Sequence, residues 1–384
     1  MTARWYAVRA LALSLSLTAV GAFCVIGAAS PVSAASSPVV GGPQLARAGV
    51  IVNLVPGVPA PPAMAGASFL VADMDTGQIL AARAPHRRSL PASTLKALTA
   101  LTLIPRLDAS AKVVVQPEDV RVDGSRIGVL AGTAYTVRSL FQGLLMASGN
   151  DAAYALSRAN GGAAMTLSQM NSTASELGAF DTVAKDPSGL DKPGQTSSAY
   201  DLALIGRAAM KLPDFRGYVS TKRASFPGGR SSDGKMLPGF TINSHHRLLY
   251  NYEGAIGIKN GYTIAAKQTF IGAATRGGKT YIVTEMASPN GSWRPTAAML
   301  DWAFAHGDSL TPVGELVEPG TATRTGQTSA EGGLTSGAGG ADRPGATGSE
   351  RLSPLEPWVG VAGLLSAALL VGGFAMRSLS RRRR

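Results

Sequence analysis

The spacing of apolar positions changes along the chain, and each change predicts an element. Ser68-Phe69-Leu70-Val71-Ala72 and Ile79-Leu80-Ala81-Ala82 are short β-rich runs on either side of the turn residues Asp75-Thr76-Gly77, the pattern of a hairpin. Thr269 to Thr275 and Thr280 to Met286 repeat it around Arg276-Gly277-Gly278-Lys279, predicting a second antiparallel pair. Between the two pairs the spacing is helical over Val137 to Ala147, Asp151 to Ala159, Ala164 to Leu177 and Ala199 to Lys211. Pro295 to Ala305 predicts a closing helix with proline in its first turn. Strands at both ends and helices between them predict an α+β fold, an antiparallel sheet flanked by helices with an inserted helical region.

Outside that pattern the apolar stretches have a different meaning. Ala10 to Ala29 carries no charge, follows Arg4 and Arg9, and leads to small residues at Val32 and Ala34, which predicts a signal peptide over 1–34. Cys24, the single cysteine, lies inside it. A mature chain then has no thiol, which excludes disulfides, thiolate metal ligands and a cysteine nucleophile. Trp358 to Met376 is also uncharged and, as a helix at ~1.5 Å per residue, matches the ~30 Å hydrocarbon core of a bilayer. Arg377 and Arg381 to Arg384 follow it, so 358–376 is expected to cross the plasma membrane once, with 377–384 as a cytoplasmic basic tail and the rest extracellular. Residues 35–65 are poor in charge and rich in Pro, Val, Gly and Ala, and predict an extended leader. Gly, Thr, Ser and Ala dominate 317–357, a composition that buries no core and predicts a flexible tether. One folded domain is left, over 66–316.

The formal charge of +12 suggests a nucleic-acid partner until it is divided along the chain. Seven of the 36 lysines and arginines sit at the two ends, and the other 29 face 24 acidic residues, a balance of +5. With no basic run longer than two residues there, nucleic acid is excluded as a partner.

Three short motifs carry the candidate chemistry. Ser93-Thr94-Leu95-Lys96 opens the buried helical run Ala97, Leu98, Leu101, Ile104. Three-residue spacing puts the hydroxyl and the amine on one face, and a first-turn serine sits where free N–H groups favour a developing anion. A lysine held dry beside it becomes a neutral base. Ordinary serine and lysine usage gives roughly one or two such matches by chance in a chain this long. Ser148-Gly149-Asn150 falls between two helical runs, and by itself reads as a C-cap glycine followed by an N-cap asparagine. Lys259-Asn260-Gly261-Tyr262-Thr263 precedes the strand from Thr269, where an edge-strand lysine is the ordinary reading. The four histidines form no H-E-x-x-H, so a metallopeptidase is disfavoured, and no metal or cofactor is expected.

Taken together and in this order, the motifs resemble the signature of penicillin-binding proteins and serine β-lactamases. The resemblance is closest to the serine D-Ala-D-Ala carboxypeptidases, through Leu90-Pro91-Ala92-Ser93, Ser148-Gly149-Asn150-Asp151-Ala152-Ala153, Pro187-Ser188-Gly189-Leu190-Asp191 and Ser197-Ser198-Ala199-Tyr200-Asp201-Leu202-Ala203. It implies a penicillin-binding protein/β-lactamase-like domain acting on peptidoglycan stem peptides ending in D-Ala-D-Ala, and acylated by β-lactam antibiotics. It also implies roles. Ser93 is the nucleophile and Lys96 its base. Ser148 and Asn150 relay protons and orient the substrate, and Lys259, Asn260, Gly261 and Tyr262 bind it. The backbone N–H groups of Ser93 and Tyr262 form the oxyanion hole. Asn260 departs from the family, which carries a hydroxyl there to help bind the substrate carboxylate. Two other functions share these motifs: a serine β-lactamase, whose class A form needs a glutamate base between the second and third motifs, where the corresponding region has Glu176 in Glu176-Leu177-Gly178, and a catalytically weak wall-binding protein.

Overall fold

The computed structural model describes residues 39–289 and 293–323. The predicted signal peptide, membrane helix and basic tail, and most of the tether, lie outside these residues. Among the described residues no helix is long and apolar enough to cross a membrane.

A seven-stranded antiparallel sheet organises the fold. Its strands are β1 (Val50–Val52), β2 (Ser68–Asp73), β3 (Gln78–Arg83), β4 (Ala255–Thr263), β5 (Lys267–Arg276), β6 (Lys279–Ser288) and β7 (Gly314–Glu315). The order across the sheet is β1-β3-β2-β6-β5-β4, with β7 also on β3. The expected hairpins are β2–β3 and β5–β6, and the α+β class holds. Alternation explains why the sheet is buried on both faces. Leu70, Ala72, Ile79 and Ile282 enter one apolar cluster, while their neighbours Phe69, Val71, Leu80, Tyr281 and Val283 enter the other.

The helices are α1 (Lys96–Leu103), α2 (Val137–Met146), α3 (Asn150–Ala159), α4 (Ala163–Glu176), α5 (Ala199–Ala209), α6 (Pro213–Ser220) and α7 (Arg294–His306), besides two of a single turn. Met299, Leu300, Trp302 and Ala303 of α7 cover the second cluster. The first is covered by α5, and α1 packs at the centre of α2, α3, α4 and α5. With seven of its eight residues buried, α1 is the fixed post on which the first motif stands.

The structure adds to two expectations. The stretch read as a plain leader does structural work in its described part: Leu45 and Ile51 are buried, and β1 pairs with β3 through Val50–Arg83, Ile51–Ala82 and Val52–Ala81. A short added strand covers backbone groups that β3 would otherwise leave unpaired at the sheet edge. The third motif precedes the strand that holds Thr269, β5, as expected, but it also lies within a strand of its own, β4, registered on β5 with Lys259 opposite Ile271 and Gly261 opposite Thr269. Glycines at 257 and 261 lower the β-propensity of that run and hid it.

Candidate active site

Ser93 stands on a bend that sequence spacing placed inside a helix. Ala92 has φ of +47°, and Ala92–Leu95 form a 3-10 turn that continues into α1, so Ser93 precedes the α-helix. Spacing survives this correction, because positions three apart eclipse in a 3-10 turn. The Thr94 and Thr269 hydroxyls donate to the Pro91 carbonyl at 2.5 and 2.8 Å, tying the bend to β5. Gly189, at φ +83°, leans on the same bend; a Cβ there would lie 2.0 Å from the Ala92 carbonyl oxygen. Ser93 is only partly buried, whereas Ala92, Thr94 and Leu95 are buried outright.

Lys96 is fully buried, and its ammonium has three oxygens around it. Nζ lies 2.9 Å from Ser93 Oγ, 2.6 Å from Asn150 Oδ1 and 2.5 Å from the Ser188 carbonyl. The Asn150 carboxamide is oriented by its Nδ2, which donates to the Asp123 carbonyl at 2.6 Å. Two of the three oxygens around Nζ can only accept, so they take N–H donors. The third direction faces a hydroxyl, which is able to donate. Burial above all, then the charge of Lys259, pushes the Lys96 pKa well below its usual value, against the pull of Asp186 and Asp151. In the neutral amine the remaining lone pair points at the Ser93 hydroxyl, the arrangement a general base needs.

Across from this helix side runs β4. Gly261 explains why a glycine sits there: an added Cβ would lie 2.6 Å from the Ser93 backbone nitrogen and 2.9 Å from that of Thr94. Only a residue without a side chain lets the strand come this close to the nucleophile's own backbone. Lys259, two residues earlier, is 1% exposed, and its Nζ donates to the carbonyl of its neighbour Asn260 at 2.7 Å. Burial lowers its pKa to about 7. The Asn260 side chain has no hydrogen-bond partner among the described residues, and Tyr262 is exposed at the rim.

Ser148 links α2 to α3 in the left-handed region, with φ of +60°. The Gly149 N–H to the Gly143 carbonyl and the Asn150 N–H to the Ser125 carbonyl hold this junction. The Ser148 hydroxyl has no hydrogen-bond partner among the described residues, Lys96 included. Ser93, Lys96 and Asn150 are therefore brought into one hydrogen-bonded group, Gly261 touches it through backbone, and Lys259 reaches it by charge.

Sequence reasoning missed several supporting residues. The Ser188 carbonyl is a direct partner of Lys96, and Asp186 holds it in place by accepting from the Ser188 N–H, the Ser188 hydroxyl and Tyr154 Oη at 2.5 to 2.8 Å. Asp151 accepts four backbone N–H groups, those of Ile127, Gly128, Val129 and Ala152. Thr263 Oγ1 reaches Asp191 Oδ1 at 3.0 Å, joining the end of β4 to the 186–191 loop. The segment around Pro187-Ser188-Gly189 was the available signal. Its part is played by a main-chain oxygen, which residue type does not announce. Glu176 ends α4 exposed to solvent, accepting from Ser172 at 2.8 Å. Among the described residues, His86, Asp181 and Asp201 come close enough to share a cation, but Asp181 is already engaged by His86 and Arg88.

The chain is similar to known proteins along most of its described length. Residues 57–290 match the D-alanyl-D-alanine carboxypeptidase family. The chain is 42% identical over 245 residues to the D-alanyl-D-alanine carboxypeptidase DacB2 of Mycobacterium tuberculosis, covering 62% of this chain and 82% of that one. It is 31% identical over 246 residues to DacF of Bacillus subtilis, covering 62% of each. Among solved structures it is similar to the Mycobacterium tuberculosis D-alanyl-D-alanine carboxypeptidase, with a TM-score of 0.64 at 39% identity over 69% of this chain and 99% of that one. It is also similar to the Streptomyces K15 DD-transpeptidase, with a TM-score of 0.61 at 31% identity over 64% and 100%.

Proposed function

The chain belongs to the D-alanyl-D-alanine carboxypeptidase family, and from that premise we propose that it removes the terminal D-alanine from peptidoglycan stem peptides through an acyl-serine. Ser93 Oγ attacks the carbonyl between two D-alanines while Lys96, as a neutral amine, takes its proton. The C–N bond breaks, the departing amine takes up a proton, and water then cleaves the ester to restore Ser93. Backbone N–H groups of Ser93 and Tyr262 would stabilise the tetrahedral intermediate, whose approach to Ser93 the side chain-free Gly261 permits. Ser148 would pass protons, its hydroxyl being free to turn. Lys259 and Asn260 would bind the substrate carboxylate. A β-lactam would acylate the same serine.

The observation that carries this reading is the buried Lys96 amine 2.9 Å from Ser93 Oγ, with its other hydrogen bonds going to pure acceptors. Incubation with a pentapeptide ending in D-Ala-D-Ala should release one alanine, read by mass spectrometry, and labelled penicillin should attach to Ser93. Label mapped to Ser148, or kept by Ser93→Ala, would overturn the assignment. The same proposal places the domain outside the plasma membrane, anchored by 358–376, on the strength of that segment's length, its lack of charge and the arginines after it. Protease added to intact protoplasts should cut within 317–357, and full protection of that stretch would contradict the topology.

A further inference from the structure

Beside the site lies an open cavity of 840 Å³ whose walls include Arg223, His245, Arg247, Tyr250, Trp293 and Arg294, and, among the described residues, no carboxylate. Its inner wall is the segment 244–250, tied down at several points. Ser244 N–H and Tyr250 Oη both bond the Lys222 carbonyl, at 2.9 and 2.6 Å, and His245 N–H bonds the Met146 carbonyl at 2.8 Å. Met146 is the last residue of α2, two before Ser148, so His245 stands where the cavity meets the site. Burial, and after it the charge of Lys259, holds the His245 imidazole below its usual range, which agrees with that adjacency.

The cavity collects positive charge, and two of its arginines, Arg223 and Arg247, have no counterion among the described residues. Arg223 pairs its backbone with Asn243 across a two-stranded ribbon, yet its guanidinium, like that of Arg247, makes no ion pair or hydrogen bond with any described side chain. The Arg294 guanidinium lies 5.2 Å from the centre of the Trp293 ring, and the Lys222 ammonium 6.0 Å from that of Tyr250. A concave, uniformly basic wall raises the local concentration of anions. Lys259 does not line this space, so an alanine carboxylate held by Lys259 would leave these arginines without an anion.

We propose that the cavity is a subsite for a second carboxylate on the leaving side of the scissile bond, resting on the assignment above that Lys259 meets the terminal carboxylate. Its ligand is a leaving group larger than alanine and acidic beyond its α-carboxylate. That extra carboxylate comes from the side chain of a terminal D-residue or from a second stem peptide linked at that position.

The test uses the purified chain and donor peptides identical up to the penultimate D-alanine, ending in D-Ala, D-Gln, D-Glu or D-Lys, together with a crosslinked dimer. The expected order of kcat/KM is D-Glu above D-Gln above D-Lys. The first step should be roughly three- to tenfold, as befits one or two exposed charge contacts, and should shrink as ionic strength rises. Arg223→Glu should erase or invert the D-Glu preference while changing D-Ala release less than about twofold, and Arg223→Lys should retain it. A dimer that follows the D-Glu pattern in these variants identifies the second stem as the source; a pattern confined to D-Glu identifies the side chain. Equal rates for D-Glu and D-Gln in the wild type, or an equal effect of Arg223→Glu on every peptide, would overturn the subsite alone. Failure to cleave any peptide, with no penicillin label on Ser93, would instead remove the catalytic assignment on which it rests.

Discussion

Two buried lysines face each other across the site, and their surroundings differ. On the helix side, Lys96 is held by oxygens from the 92–95 turn, from α3 and from the 186–191 loop. On the strand side, Lys259 has only the carbonyl of its own neighbour as a hydrogen-bond partner among the described residues. Both lose water on folding, which pulls both pKa values down. The amine of Lys96 is fixed in direction, with its proton made easy to shed, and this suits repeated proton transfer to and from Ser93. Lys259 has a desolvated charge and donors to spare, so an incoming carboxylate would supply what the protein withholds. The difference teaches that burial alone does not assign a lysine's role; the number and origin of its partners does.

The strongest way to break that comparison is Lys96→Met, which keeps the volume and removes the base. Penicillin acylation of Ser93 should slow by about a thousandfold or more, the loss expected when a serine is deprived of its activating group. In the wild type the same rate should fall as pH drops through the lowered Lys96 pKa, because protonation removes the lone pair. A Lys96→Met variant that acylates within about tenfold of wild type would show that Ser93 is activated elsewhere.

Lys259→Met probes the other side, and should cost about a hundredfold in kcat/KM on peptides with a free carboxylate, as expected for losing a hydrogen-bonded charge contact. It should also stabilise the fold. The folded pKa of about 7 lies below the ordinary value of 10.5. Between those two values the unfolded chain binds more protons, so this lysine's contribution to stability rises with pH. Below about 7 both states are protonated and the penalty is complete. The thermal midpoint should therefore rise by several degrees on substitution at pH 6, and by progressively less as pH approaches 10. A constant difference across that range, or a lowered midpoint, would mean that Lys259 is paid back by contacts the folded chain already makes.

Much of this was legible in the chain because side-chain pattern and backbone agree there. The β-rich runs at Ser68 to Ala72 and Thr280 to Met286 marked strands of the sheet, and Ser93 with Lys96 remain neighbours even though a 3-10 turn replaces the α-turn. What was hidden lies mainly in main-chain atoms and in glycines. Ser188 acts through its carbonyl, Asp151 through four loop amides, and Gly261 through the side chain it lacks. The glycines at 257 and 261 also weakened the alternation that would have revealed β4, and β1 buries only Ile51 among its three residues.

The smallest effect, and the sharpest test of the strand side, concerns Asn260. Its main-chain carbonyl already takes the Lys259 ammonium, which leaves the carboxamide as what residue 260 offers a ligand. The resemblance implies a hydroxyl at this position, and in the proposed function an amide N–H would replace it as a donor to the substrate carboxylate. Losing such a bond to a charged group typically costs ~1.5 to 3 kcal/mol, or roughly ten- to a hundredfold in rate if it acts in the transition state. Asn260→Ala should lower kcat/KM toward the lower end of that range, because Lys259 still neutralises the carboxylate. Asn260→Thr should keep or raise it, since a hydroxyl restores the donor. A substrate amidated at its C-terminus separates binding from strand shape: with no carboxylate to meet, it should hardly distinguish wild type from Asn260→Ala. If the amide loses as much as the free acid, Asn260 serves the pairing of β4 with β5, where it faces Phe270, and the charge of Lys259 is the strand's whole contribution to carboxylate binding.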